Sequence, residues 1–178
     1  MSRIPIPVTL DAAPIASQPL LEAVKRQLGS VPKLFRLLAL SPASLEGMLG
    51  LNGALAKGEL EAKTRERIAL AIANINDCAY CLSAHTYLGG NVAKLDDSER
   101  AANRDGRSSD ARANAALQFA SRVIHQHGKV SREELTAVRA AGYGDGKVRE
   151  IVLHVALNTL TNYVNGTFET DVDFPVVR

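Results

Sequence analysis

Tryptophan is absent, aromatic residues are only 4% of the chain, and there are just two cysteines. A core with so few rings has to be filled by aliphatic and small side chains. Here those are chiefly Ala and Leu, the strongest helix formers. Two cysteines three positions apart, Cys78 and Cys81, exclude the disulfide scaffold of a small secreted domain, whose cysteines are spread to staple distant segments. Charge of one sign is also lacking: 21 Lys and Arg against 19 Asp and Glu leave a net charge of +2. That balance argues against a nucleic-acid partner or an anionic membrane surface. No apolar run approaches the ~20 residues that span a bilayer. The opening MSRIPIPVTLDAAP has no continuous apolar segment of the signal-peptide kind. A cytoplasmic protein is the expectation.

What is present is helical periodicity. With 178 residues, 46% of them apolar, the chain is expected to form a single domain over 1–178. Residues 1–19 hold four of the seven prolines and read as an extended arm that packs on a neighbouring subunit. Helices are predicted over 20–28 and 33–40, then from Pro42 to Lys57, where Gly47, Gly50 and Gly53 would let another helix approach closely. Glu61 to Asn76 is the strongest helix. Asn76-Asp77 would break it and cap the next, Cys78 to Leu88, closed by Gly89-Gly90. Further helices are expected over 96–103, 108–126, 131–142, where Ser131 to Glu134 form a capping box, and 146–169. No stretch alternates as a strand does, so the fold class is all-α.

The chemistry concentrates between Glu66 and His85. On a helix Cys78 and Cys81 are i and i+3, and Cys81 and His85 are i and i+4, so two thiols and an imidazole share one face. A position in the first turn lowers a thiol pKa through the partial positive charge of the helix N-terminus. Glu66, twelve residues before Cys78 on the preceding helix, would orient His85 if the two helices fold together. The sequence also carries an internal echo. Setting Glu66 against Glu150 aligns Asn74 with Asn158, and places Asn162 and Asn165 where Cys78 and Cys81 stand.

This pattern, Glu66 followed by Cys78-Ala79-Tyr80-Cys81 and His85, resembles the signature of the AhpD-like alkylhydroperoxidases of the carboxymuconolactone decarboxylase superfamily. The likeness is strongest over 61–90, a catalytic helical hairpin in that family. It extends loosely from Val31-Pro32 to the tail NTLTNYVNGTFETDVDFP, which is similar to the peroxidase-related branch. The resemblance implies an all-α AhpD-like domain that assembles into dimers, trimers or hexamers. It also implies reduction of hydrogen peroxide or organic hydroperoxides without a cofactor or metal. Cys81 would be the attacking thiolate, Cys78 the resolving thiol, and His85 with Glu66 the proton relay. An external dithiol would reduce the resulting disulfide. Tyr80 fills a place where some members carry His.

Other readings remain beside this one. The helix-terminus effect favours Cys78 as the more acidic thiol, whereas pairing with His85 favours Cys81. Cys78, Cys81 and His85 could instead be three zinc ligands, with Glu66 or a distant histidine as the fourth, or the cysteines a buried apolar pair. Glu66 could simply pair with Arg65 or Arg67. His125 and His127 read as helix-end cations, His154 as a core or interface histidine, and Glu150 as a partner of Arg149 or Lys147 or an interface residue. A non-turnover redox sensor, a redox-regulated chaperone and a decarboxylase-like enzyme are the alternative functions.

Overall fold

The computed structural model describes residues 2–177; Met1 and Arg178, the two ends of the expected domain, lie outside the described residues. Among those described there are nine α-helices and no strand, as the absence of alternating patterns implied. In chain order they are α1 (Gln18–Leu28), α2 (Lys33–Leu38), α3 (Pro42–Ala56), α4 (Ala62–Ile75), α5 (Ala79–Asn91), α6 (Asp97–Arg104), α7 (Ala111–His125), α8 (Arg132–Ala140) and α9 (Asp145–Phe168). Their starts follow ordinary capping chemistry. Ser41, Asp96 and Asp110 each accept a backbone N–H from the first turn of the helix that follows, and Ser131 with Glu134 completes the capping box.

Helix α4 is central and packs against α5, α6, α7 and α9. Ile68, Ala71 and Ile72 join Leu117, Phe119 and Val123 of α7 and Ile151 and Val155 of α9 in the main core. A second core gathers Leu21, Val24, Leu45, Met48 and Leu55 from α1 and α3 against Leu157.

Several expectations change. The first residues do not reach away from the chain. Arg3 N–H donates to the Phe168 carbonyl at 2.8 Å, its guanidinium pairs with Glu169, and Ala13 is buried in the second core. Ile15–Ser17 form a 3₁₀ turn that leads straight into α1, whose first turn accommodates Pro19. Gly47, Gly50 and Gly53 have nothing within 4 Å of their would-be Cβ positions, so no helix of this chain uses that space. Gly89 and Gly90 do not end α5. A Cβ on Gly90 would collide with Nη1 of Arg100, so the small residue leaves room for that guanidinium.

One buried polar cluster fastens α6 to α4. Arg67 Nε donates to Glu99 Oε1 at 2.9 Å, with only 10% and 6% of the two side chains exposed. Asn103, Ser108 and Ser109 donate to the same carboxylate. Burial opposes the Glu99 charge, but these hydrogen bonds outweigh it and hold its pKa at about 2. A depressed carboxylate contributes stability that is fully present above its unfolded value of about 4.3 and is lost as pH falls toward about 2. Glu99→Gln strands the Arg67 charge and is expected to cost about 3 kcal/mol at neutral pH. In chemical denaturation the gap from wild type should narrow below the ordinary carboxylate range; a gap independent of pH would contradict this.

Candidate functional site

The site is built by the way α4 ends. Asp77 takes the left-handed conformation, φ +50°, which Asp tolerates better than most residues. Its N–H reaches the Asn74 carbonyl at 3.1 Å, and the Cys78 N–H reaches that of Ala73 at 2.9 Å. This is a Schellman turn. It reverses the chain so that Cys78 itself, rather than Asn76 or Asp77, becomes the N-cap of α5. Cys78 Sγ accepts the Cys81 N–H at 3.3 Å. Both cysteines are free and buried, 6% and 3% exposed.

Hydrogen-bond donors then converge on the Cys81 sulfur. The Cys78 S–H donates to it, and Asn165 Nδ2 lies 3.2 Å away. Against the cost of burial, the Cys78 hydrogen bond, then Asn165, the His85 charge and Asn162 lower the Cys81 pKa to about 6. The same hydrogen bond, together with burial, pushes Cys78 far up. The pair is therefore asymmetric. The second cysteine is the acidic one, and the helix-terminus argument for the first loses to the donor set.

His85 stands one turn after Cys81 with Nδ1 2.9 Å from Glu66 Oε2, each side chain 22% exposed. Burial disfavours the imidazolium, but the charge and hydrogen bond of Glu66, with the Cys81 charge, outweigh it and raise the pKa. Glu66 thus faces His85 rather than a neighbouring arginine, while Arg67 on the other side of α4 goes to Glu99. All four sequence-selected residues meet in one place.

Tyr80 does not join them. Its hydroxyl accepts the Leu34 N–H at 3.2 Å, and its ring meets Phe174 edge-on with centroids 5.8 Å apart. Burial, chiefly, raises its pKa. With Val172 and Phe174 packed on the cysteine cluster and the Val177 N–H on Ser83 Oγ, the C-terminal segment lies across the site.

Glu150 is neither a surface partner of Arg149 nor of Lys147. Its carboxylate accepts the N–H groups of Glu59 and Leu60, each at 2.9 Å, just before α4. His154 is buried and its Nε2 has no partner; burial, then the Arg65 charge, lowers its pKa to about 4. Among the described residues, no group of three or more His, Cys, Asp or Glu side chains is placed to hold a metal ion, so the zinc reading finds no ligand set.

Asn162, Asn165 and Asn76 were not singled out for chemistry by the sequence. Asn76 Nδ2 donates to Asn162 Oδ1 at 2.9 Å, which turns the Asn162 amide group toward Cys81. The signal was there: His154, Asn158, Asn162 and Asn165 recur at spacings of four, four and three on one buried face of α9.

The first-turn thiol can be titrated directly. Alkylation of Cys81 by iodoacetamide is expected to rise with a midpoint at about pH 6. Cys78→Ala removes the leading donor and should move the midpoint upward, whereas Cys78→Ser, which keeps a donor, should move it less. Equal midpoints in all three proteins would remove Cys78 as the cause.

Comparison with known proteins places this geometry. The model of the carboxymuconolactone decarboxylase family matches residues 42–122, from α3 into α7, with the whole cysteine hairpin inside. An uncharacterized protein of Haemophilus influenzae is 41% identical over 63 residues, which are 35% of this chain and 50% of that protein. The chain thus matches about half the length of that relative. The AhpD-core crystal structure of an uncharacterized peroxidase-related protein from Ralstonia eutropha JMP134 superposes with a TM-score of 0.85 at 28% identity, over 97% of this chain and 92% of that one. The debrominase Bmp8 shares the fold alone, with a TM-score of 0.78 at 18% identity over 94% of this chain and 91% of that one. Over residues 42–122 the chain matches the carboxymuconolactone decarboxylase family, and its fold is that of the AhpD-like proteins.

Proposed function

We propose that this protein is a thiol-dependent peroxidase that reduces hydrogen peroxide or organic hydroperoxides through a Cys78/Cys81 dithiol–disulfide cycle. The observation that carries this reading is the acidic Cys81 thiol beside the His85–Glu66 pair. At neutral pH the proton of Cys81 resides on His85, whose imidazolium Glu66 stabilises. The thiolate attacks the terminal oxygen of the hydroperoxide. An S–O bond forms, the O–O bond breaks, and His85 protonates the departing alkoxide or hydroxide. Cys78 then attacks the sulfenic acid: the S–S bond forms and water leaves with the Cys78 proton. An external dithiol, oxidised in exchange, returns the pair to its reduced form. The catalytic hairpin at 61–90 supplies every reacting group, within a single domain over 1–178. The shared fold of the peroxidase-related protein from Ralstonia eutropha supports the same class of chemistry.

An assembly of several copies fits this reading. Val152, Leu153, Leu160 and Tyr163 line the outer face of α9 and are 39% to 62% exposed. Beside them runs a groove of about 510 Å³ lined by Phe119, Val130 and Leu135. Apolar side chains at such spacing form a seam for a second helix, and a homo-oligomer would cover it. Among the described residues, no helix is long and apolar enough to cross a membrane.

Peroxide consumption with dithiothreitol as reductant tests the proposal. Wild type should turn over many times, Cys81→Ser not at all, and Cys78→Ser should stop at a sulfenate that dimedone traps. His85→Ala should fall by about 10²- to 10⁴-fold, and Glu66→Gln by a smaller factor. One oxidation without turnover in wild type would instead identify a redox sensor, and four variants indistinguishable from wild type would remove the cysteine site from the function. Light scattering tests the assembly: a wild-type particle larger than one chain that Leu153→Glu or Tyr163→Glu reduces is expected, and a monomeric wild type would contradict it.

A further inference from the structure

Two buried amide atoms of α9 have no partner within hydrogen-bond geometry: Asn162 Nδ2, which faces the Cys81 sulfur from beyond that range, and Asn165 Oδ1, on the amide that holds that sulfur. Both belong to side chains almost fully withdrawn from solvent, 2% and 3% exposed. An unpaired amide group buried in this way is destabilising, and two such atoms on neighbouring amides at one site call for a reason. Neither amide can turn to relieve the deficit. Asn162 is held by Asn76, whose Nδ2 donates to its Oδ1 at 2.9 Å. Asn165 is held by Cys81 itself, whose sulfur takes its Nδ2 at 3.2 Å. Rotating Asn165 would set a carbonyl oxygen against the thiolate.

What remains is one donor facing the reacting sulfur and one acceptor on the amide that holds it. A hydroperoxide presents the matching set, one O–H donor and two oxygen acceptors. The edge of a carboxamide carries its N–H and its C=O side by side. An amide that already holds the sulfur by N–H therefore offers its C=O to an O–H next to that sulfur.

We propose that Asn162 and Asn165 are catalytic residues that bind the peroxide group: Asn165 Oδ1 accepts the hydroperoxide O–H, and Asn162 Nδ2 donates to the departing oxygen. The assignment rests on the peroxidase reading above. As the S–O bond forms and the O–O bond breaks, charge grows on the departing oxygen, where the Asn162 N–H meets it before His85 delivers the proton. The O–H held by Asn165 stays on the transferred oxygen and becomes that of the sulfenic acid. Asn165 then spans the S–O–H unit, with N–H on the sulfur and C=O on the hydroxyl. Hydrogen peroxide and alkyl hydroperoxides both carry this recognition group, so the pair reads the peroxide function rather than the alkyl chain. Asn76 acts through Asn162 and is a positioning residue.

The test separates oxygen binding from thiol acidity, since Asn165 and Asn162 also favour the thiolate. In a Cys78→Ser background, the rates of sulfenate formation with hydrogen peroxide and of alkylation with iodoacetamide are measured at a pH above each variant's own thiol midpoint. Asn162→Ala, Asn165→Ala and the volume-conserving Asn162→Leu and Asn165→Leu are compared, each checked by thermal unfolding. The expected result is a peroxide rate lower by about a hundred-fold, with alkylation close to the background rate, because iodoacetamide carries no O–H and releases iodide. Asn76→Ala should show a smaller loss of the same kind. A peroxide rate that falls no further than the alkylation rate in the folded variants overturns the assignment and leaves the peroxidase reading standing. A background protein that forms no sulfenate overturns both.

Discussion

Cys78 holds two positions at once. Its sulfur accepts the Cys81 backbone N–H as the cap of α5, and its S–H donates to the Cys81 sulfur. The first interaction sets where the helix begins; the second sets which thiol is ionised. Both follow from one turn: Asp77 in the left-handed region ends α4 and delivers Cys78 at the correct place and angle. A helix that began one residue earlier or later would separate the cap from the chemistry. The rest of the site is arranged around that point.

Around it the fold works by dividing adjacent residues between tasks. Glu66 turns to His85, and Arg67 turns to the buried Glu99 that locks α6 against α4. Cys78 and Cys81 form the proposed reacting pair, while Tyr80 between them ties α2 and the C-terminal segment to α5. On α9 one face carries the polar series ending in Asn162 and Asn165, and the outer face carries Leu153, Leu160 and Tyr163. Burial of both cysteines makes each hydrogen bond to the sulfur count for more. Acidity in Cys81 is thus a property of three helices, not of a motif.

The all-α class, the hairpin and the shared face of Cys78, Cys81 and His85 were legible because each rests on local spacing, and Glu66 was legible through the family resemblance. Helical periodicity fixes which residues share a face, and a break between two helices brings Glu66 back over His85. What was hidden depends on contacts between distant segments. Gly89-Gly90 reads as a stop until Arg100, which comes later in the chain, is seen to fill the space beside it. The proline-rich opening reads as an arm extended toward a neighbouring subunit because nothing local shows that Arg3 meets the end of α9. Cys78 as its own cap was obscured by Asn76-Asp77, which are better capping residues on average but here close α4. Asn162 and Asn165 stood opposite the cysteines in the internal echo, yet only packing α9 against α5 shows that both point at one sulfur.

The central claim is that an acidic Cys81 reduces peroxide and Cys78 resolves the product. Intact-mass analysis of the reduced wild-type protein after one equivalent of hydrogen peroxide tests it most directly. The account predicts the loss of two hydrogens per chain, mapped by proteolysis to a bond between Cys78 and Cys81, and restored by an added dithiol. An unchanged mass, or a single added oxygen that stays on Cys78 while Cys81 remains free, would contradict it.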